Sequence, residues 1–209
     1  MTARTSSIPL YSEIVRENSA HLASVEAQVR ALKIRIADAT HADETSALEF
    51  ELISLETTLA KHSLVVILFS ATLLEAYIYD YAARHLSDKF AQEYVDKLDV
   101  IGKWVVVPRL ATGRELPRGK KWFGLMKTLV KTRNLIAHSK SSELPRTKNQ
   151  AQPYLERIQN KDDQFAQSAR QSIELLDLLV AEMSDLDPDE SIWIQSYFSP
   201  ISQIRLEAK

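Results

Sequence analysis

Residues 64–83, LVVILFSATLLEAYIYDYAA, decide the fold. This stretch is apolar on nearly every side of a helix, which is typical of an element enclosed by others. It continues a pattern in which apolar residues and one histidine recur every three or four positions: Leu48, Leu52, Leu55, Leu59, His62, Val66, Phe69 and Leu73. Such spacing predicts one long central helix. Its carboxylate Glu75 needs a cation or a hydrogen-bond donor, because an unpaired charge among apolar neighbours is costly.

A first helix is predicted from Tyr11 to Asp38. Its apolar positions also step by threes and fours, with Asn18 in one slot: Val15, Leu22, Val25, Val29, Leu32 and Ile36. Two such seams joined by a short polar stretch predict an antiparallel helical hairpin. We interpret His62 as a structural residue of this seam, because no second histidine lies at metal-ligand spacing.

Further helices are expected towards the carboxyl end. Residues 99–121 contain Pro108, Pro117 and three of the four glycines, so they predict a long loop with a short strand from Trp104 to Val107. Helices follow from Trp122 to His138 and from Tyr154 to Met183. Residues 186–209 should form a tail that packs back on the bundle. The fold class expected is therefore all-α.

The amino-acid composition indicates a folded protein and excludes sites that need cysteine. A hydrophobic share of 45% with 26% charged residues indicates a folded chain, and the absence of cysteine excludes disulfides and zinc-thiolate sites. The amino terminus lacks the apolar core of a signal peptide, and the longest apolar run, Leu64 to Phe69, is far shorter than the ~20 residues that span a bilayer. We expect a cytoplasmic protein. The aspartates 185, 187 and 189 imitate a calcium loop, but Glu190 stands where glycine is needed.

Positive charge is concentrated in residues 101–140. There are ten basic residues and one acid there, so the segment carries +9 and the rest of the chain −11. The bases are Lys103, Arg109, Arg114, Arg118, Lys120, Lys121, Lys127, Lys131, Arg133 and Lys140. A local basic field on an acidic chain favours a polyanionic partner such as RNA, whereas the alternative is a merely solvated loop face.

The helix from Trp122 carries polar residues in unusual places. Arg133 continues the apolar row of Trp122, Met126, Leu129 and Ile136, where a guanidinium needs an acid, a phosphate or water. A second row holds Lys127, Lys131, Asn134 and His138, in which the Asn134 amide can reach the His138 imidazole. Arg133 and His138 are offset by ~140° on one helix. Two copies about a twofold axis would bring both residue types into one cleft.

Residues 133–138, RNLIAH, resemble the R-N-x-x-A-H form of the Arg-x4-6-His motif of the HEPN superfamily (higher eukaryotes and prokaryotes nucleotide-binding). The resemblance covers roughly residues 45–185 and leaves 1–44 as a helical extension. It implies a HEPN-like helical bundle. It also implies a homodimeric, metal-independent endoribonuclease site on Arg133, Asn134 and His138, without a cofactor.

The chemistry suits these residue types. RNA brings its own nucleophile, the 2′-hydroxyl, so a site needs only to move a proton and stabilise phosphate charge. His138 would move the proton, Arg133 would grip the phosphate oxygens, Asn134 would orient the ring or the phosphate, and Glu75 would hold Arg133. The residues expected to bind RNA around the site are Lys127, Lys131, Lys140, Arg114, Arg118, Lys120 and Lys121.

Three functions stay open on the sequence. The first is an RNase of toxin or phage-defence type, restrained by an antitoxin or another regulatory protein. The second is a non-catalytic HEPN dimer that binds a nucleotide or RNA or serves as an interaction module. The third is a structural helical scaffold, in which a salt bridge alone accounts for Arg133.

Overall fold

A computed structural model of the chain describes residues 6–138 and 148–207. Its helices are α1 (Ile8–Asp38), α2 (Ala42–His85), the single turn α3 (Asp88–Phe90), α4 (Val100–Thr112), α5 (Lys121–Ala137), α6 (Lys148–Leu186) and α7 (Ser191–Glu207). A π-helical turn spans Ala91–Val95 and a 3-10 turn spans Pro188–Glu190. All regular structure in these ranges is helical, which confirms the prediction of an all-α fold.

The first two helices pack side by side and are joined by residues 39–41. Asn18 faces His62, and further along the pair Lys33 forms a salt bridge with Glu56 at 2.9 Å. The Asn18 amide nitrogen donates to the Ile14 carbonyl at 2.8 Å, which turns its oxygen towards His62 Nδ1 at 2.9 Å. The two polar residues of the seams therefore satisfy each other, and such a pair fixes the register of two helices.

The core surrounds the second half of α2. Val66, Ile67, Leu74 and Ile78 are fully buried, and α1, α4, α5 and α6 pack against this helix. By length and composition alone, α2 is also the one helix in the described ranges that could cross a bilayer. A buried helix at the centre of a bundle has the same composition.

The predicted loop and strand at residues 99–112 are wrong, because this segment is helix α4. The Asp99 side chain caps the helix by accepting from the Gly102 amide at 2.6 Å, and Gly113 ends it with a left-handed φ of 74°. Pro108 lies inside the helix, at a usual cost of about 3 kcal/mol. Tertiary packing offsets that cost: Trp104 is fully buried and donates from Nε1 to the Leu74 carbonyl at 3.2 Å.

Helix α6 ends where Pro188 forces the chain to turn. Asp187 leaves the helical conformation, with φ −136° and ψ 89°, as the steric restriction before a proline requires, and a 3-10 turn leads directly into α7. Ile194, Phe198 and Ile201 of α7 are buried, and Ser12 Oγ of α1 donates to the Tyr197 carbonyl at 2.5 Å. The segment expected as a tail is thus a helix within the core.

Candidate functional site

Helix α5 presents the Arg–Asn–His sequence at its carboxyl end. Trp122, Met126 and Leu129 are buried, and Trp122 Nε1 donates to the Pro117 carbonyl at 3.1 Å, which fixes the start of the helix. One turn beyond Leu129 in the same row, the Arg133 side chain is 33% exposed. Because it continues the apolar row, Arg133 lies at the edge of the core, where its guanidinium contacts both protein and solvent.

Two side chains contact the Arg133 guanidinium. Nη2 lies 3.5 Å from Glu75 Oε2 of α2, and Nη1 donates to Asn134 Oδ1 at 3.1 Å. Glu75 therefore lies beside Arg133, and its role as a support stays a prediction. Among the described residues, these contacts leave other guanidinium N–H groups unused, so the fork has donors for a phosphate.

His138 caps α5 and is exposed. Its backbone amide donates to the Asn134 carbonyl at 3.0 Å, and the carboxyl end of a helix attracts a cationic ring. The predicted contact between the Asn134 amide and the imidazole is not among the hydrogen bonds of the described residues; the amide oxygen accepts from Arg133 Nη1. The structure therefore groups Arg133, Asn134 and Glu75 and leaves His138 at the adjacent helix end.

Part of the basic segment is tied to α6. Lys120 lies 2.8 Å from Glu182, Lys121 lies 2.5 Å from Glu174, and Arg114 bonds to the carbonyls of Asp185 and Leu186 at 3.2 Å. These contacts hold the loop between α4 and α5 against the end of α6. Much of the excess positive charge seen in the sequence is consequently matched by acids that are distant in sequence.

The remaining cations lie on or before α5. Arg118, Lys127 and Lys131 are exposed, and none has a carboxylate within salt-bridge distance among the described residues. Lys127 Nζ lies 4.3 Å from the centre of the Phe123 ring. Lys140 lies outside the described residues. Lys127 and Lys131 share their helix row with Asn134 and His138, so the unmatched charge runs towards the motif.

Sequence reasoning missed the role of Lys103. Its side chain is 2% exposed, and its Nζ lies 2.7 Å from Glu75 Oε1. A helical signal was present, since the buried residues of α4 fall at 100, 103, 104, 107 and 108. The glycine and proline in the segment concealed this spacing.

A second polar cluster, also missed, joins α2 to the turn before α7. Glu190 is 2% exposed and accepts from both Nη groups of Arg84 at 2.7 and 2.6 Å and from the Tyr77 hydroxyl at 2.7 Å. Tyr81 donates to Asp187 at 2.7 Å. Burial, and then the Glu190 charge, raises the pKa of Tyr77 far above its usual range; burial, and then the bond to Asp187, does the same for the pKa of Tyr81. Both phenols therefore stay protonated and act as donors, and the cluster fastens α7.

The description of this site rests on its geometry, because comparisons with known proteins give no match. No family model matches the sequence, and neither the curated proteins nor the solved structures give a match. Within residues 6–138 and 148–207, no group of three or more histidine and acidic side chains is placed to hold a metal ion. The established class is therefore an all-α protein with a cationic motif at the end of α5.

Proposed function

We propose that this protein is a HEPN-type endoribonuclease, a helical bundle with an amino-terminal antiparallel hairpin that cuts RNA in a cleft between two copies of the chain. The observation that carries the proposal is Arg133, which contacts Glu75 and Asn134 at the edge of the core and, among the described residues, has further N–H donors without a partner. An arginine fixed in this way suits a phosphate group, whose oxygens match the guanidinium fork.

The proposed reaction is transesterification. His138 takes the proton from the 2′-hydroxyl or gives a proton to the leaving 5′-oxygen. The second copy of the site, related by the twofold axis, supplies the group that makes the other proton transfer. The 2′-oxygen attacks the phosphorus and the bond to the 5′-oxygen breaks, leaving a 2′,3′-cyclic phosphate and a 5′-hydroxyl. Arg133 stabilises the charge that develops on the non-bridging oxygens. No metal or cofactor takes part in these steps.

One observation favours a non-catalytic dimer that binds RNA or a nucleotide. The Asn134 oxygen accepts from Arg133, and in the described residues no hydrogen bond to the His138 ring orients it. An unoriented imidazole still attracts a phosphate when protonated, but is a poor general base. Under this alternative, Arg133, Lys127 and Lys131 bind the polyanion and no bond is cut.

A mutational experiment separates the two functions. Purified wild-type protein should cut single-stranded RNA, and His138→Ala should reduce the rate about 100-fold to 10,000-fold, the usual contribution of general acid–base catalysis. His41→Ala is the matched control, because His41 is also exposed at a helix end but lies at the start of α2. If the wild type binds RNA without cutting it, the non-catalytic function is correct.

A further inference from the structure

Lys103 is a buried cation, and Glu75 is the one carboxylate that pairs with it among the described residues. It lies in the second turn of α4, its side chain is 2% exposed, and its Nζ contacts Glu75 Oε1 at 2.7 Å. A buried ammonium is expensive unless it is paired, so this bond is close to obligatory for the folded chain. The position of Glu75 is consequently fixed from the side of α4.

Glu75 divides its two oxygens between two cations. Oε1 contacts Lys103 at 2.7 Å, whereas Oε2 lies 3.5 Å from Arg133 Nη2. The short contact is a strong ion pair and the long one is a weak hydrogen bond. The three side chains together carry a net positive charge, because one carboxylate faces two cations.

We propose that Lys103 is a positioning residue that keeps Arg133 available to phosphate. By occupying one oxygen of Glu75 and offsetting its charge, Lys103 lets the carboxylate aim the guanidinium without neutralising it. Without Lys103, Glu75 would be free to form a two-bond pair with Arg133, which would compete directly with a phosphate. The inference rests on the proposed function, in which Arg133 binds the RNA phosphate.

A comparison of single and double variants, in which the charges of Lys103 and Glu75 are removed, tests the proposal. Lys103→Met fills the buried space with a neutral chain and should weaken binding of a non-cleavable 2′-O-methyl RNA about 10-fold to 100-fold, the usual value of a charge-assisted hydrogen bond. Adding Glu75→Gln should restore affinity to within about threefold of wild type, because the substituted amide oxygen can still accept from Arg133 and aim it, but no longer opposes its charge. Lys33→Met, which removes the partner of Glu56 in another ion pair, is the control and should leave binding unchanged.

The double variant distinguishes positioning from packing. If Lys103 only stabilised the fold, removing Glu75 as well would not recover affinity, and a double variant as weak as Lys103→Met would overturn the proposal. If Lys103→Met does not fold, the double variant alone decides, since it contains no unpaired buried charge. Affinity more than tenfold below wild type in that folded protein would also overturn it.

A second measurement does not depend on RNA. Phenylglyoxal modifies accessible guanidinium groups, and mass spectrometry can follow Arg133 against Arg118, which is exposed and has no carboxylate partner in the described residues. Modification of Arg133 should slow in Lys103→Met and recover in the double variant, while Arg118 stays constant. An unchanged Arg133 rate in Lys103→Met overturns the inference. If the rates change as expected but no variant binds or cuts RNA, the proposed function fails and the role of Lys103 stands.

Discussion

Glu190 accepts both Nη groups of Arg84 across 106 residues of sequence, at 2.7 and 2.6 Å. The contact joins the end of α2 to the turn before α7. The ring of Trp193 lies 5.6 Å from the same guanidinium, so the pair is sheltered by an aromatic side chain. With Glu190 only 2% exposed, its charge depends chiefly on Arg84 and the Tyr77 hydroxyl, while His85 Nε2 lies farther away, 3.7 Å from Oε2.

The Arg84–Glu190 pair should therefore control stability. Arg84→Met leaves a buried carboxylate without its cation, and we expect the free energy of unfolding to fall by about 3–5 kcal/mol in a denaturant titration. Arg84→Met combined with Glu190→Gln should cost less than Arg84→Met alone. Arg16→Met, which removes an exposed pair with Glu13, should change the free energy by about 0–1 kcal/mol. An Arg84→Met loss as small as that control would show that the pair is not needed.

The Asn18–His62 pair should make stability depend on pH. Burial, and then the charges of His21 and Lys61, lowers the pKa of His62 below 6.5. As pH falls through 6.5 the unfolded chain takes up a proton before the folded chain does, so the stability that is fully present above this pH declines. The midpoint of thermal unfolding of wild type should drop more between pH 7.5 and about pH 5 than that of His62→Gln. Equal drops in both proteins would contradict the assignment.

RNA affinity should depend on the unmatched lysines of α5 more than on the matched ones. Lys127→Ala with Lys131→Ala should lower the salt dependence of single-strand binding by about 1.4 in slope, or ~0.7 for each lost phosphate contact. Lys120→Ala with Lys121→Ala removes the same charge but frees Glu182 and Glu174, so we expect a smaller change in slope. Affinities measured between 50 and 200 mM salt check this. Equal slopes in wild type and both double variants would show that the row is a solvated surface.

The proposed twofold cleft predicts a dimer. Leu135 lies between the motif residues and is 59% exposed, as expected of a side chain that a second copy would cover. Light scattering at micromolar concentration should give twice the 23.7 kDa monomer mass, and Leu135→Asp should give the monomer mass. Phe50→Asp is the control, because Phe50 is 77% exposed but lies near the start of α2. A wild-type monomer would remove the basis for a shared site.

Periodicity was sufficient to predict the long helices. Residues Trp122 to His138 were predicted as a helix, and α5 spans Lys121–Ala137 with His138 as its cap. The seam residues Asn18 and His62 were identified from spacing alone, although only the fold shows that they bond to each other. Local spacing reports which face of a helix is buried, and this information suffices for regular segments.

Interactions between distant segments could not be predicted in this way. The sequence predicts a loop over α4 because Pro108 and Gly102 disfavour helix locally, while the burial of Trp104 that offsets them is tertiary. Nothing in the sequence of the basic segment indicates that Lys120 and Lys121 pair with Glu182 and Glu174, which are more than 50 residues away. Glu75 was singled out as a support for Arg133, but Lys103 was hidden in a segment assigned the wrong structure.

In the proposed reaction, the 2′-hydroxyl of the RNA itself is the nucleophile. The most direct measurement uses two oligonucleotides that differ only by a 2′-deoxy nucleotide on the 5′ side of the cut, incubated with wild-type protein and a chelator. The all-ribose strand should be cut to a 2′,3′-cyclic phosphate and a 5′-hydroxyl, whereas the deoxy position should stay intact. Cleavage that persists at the deoxy position, or cleavage of the ribose strand that the chelator abolishes, would contradict it.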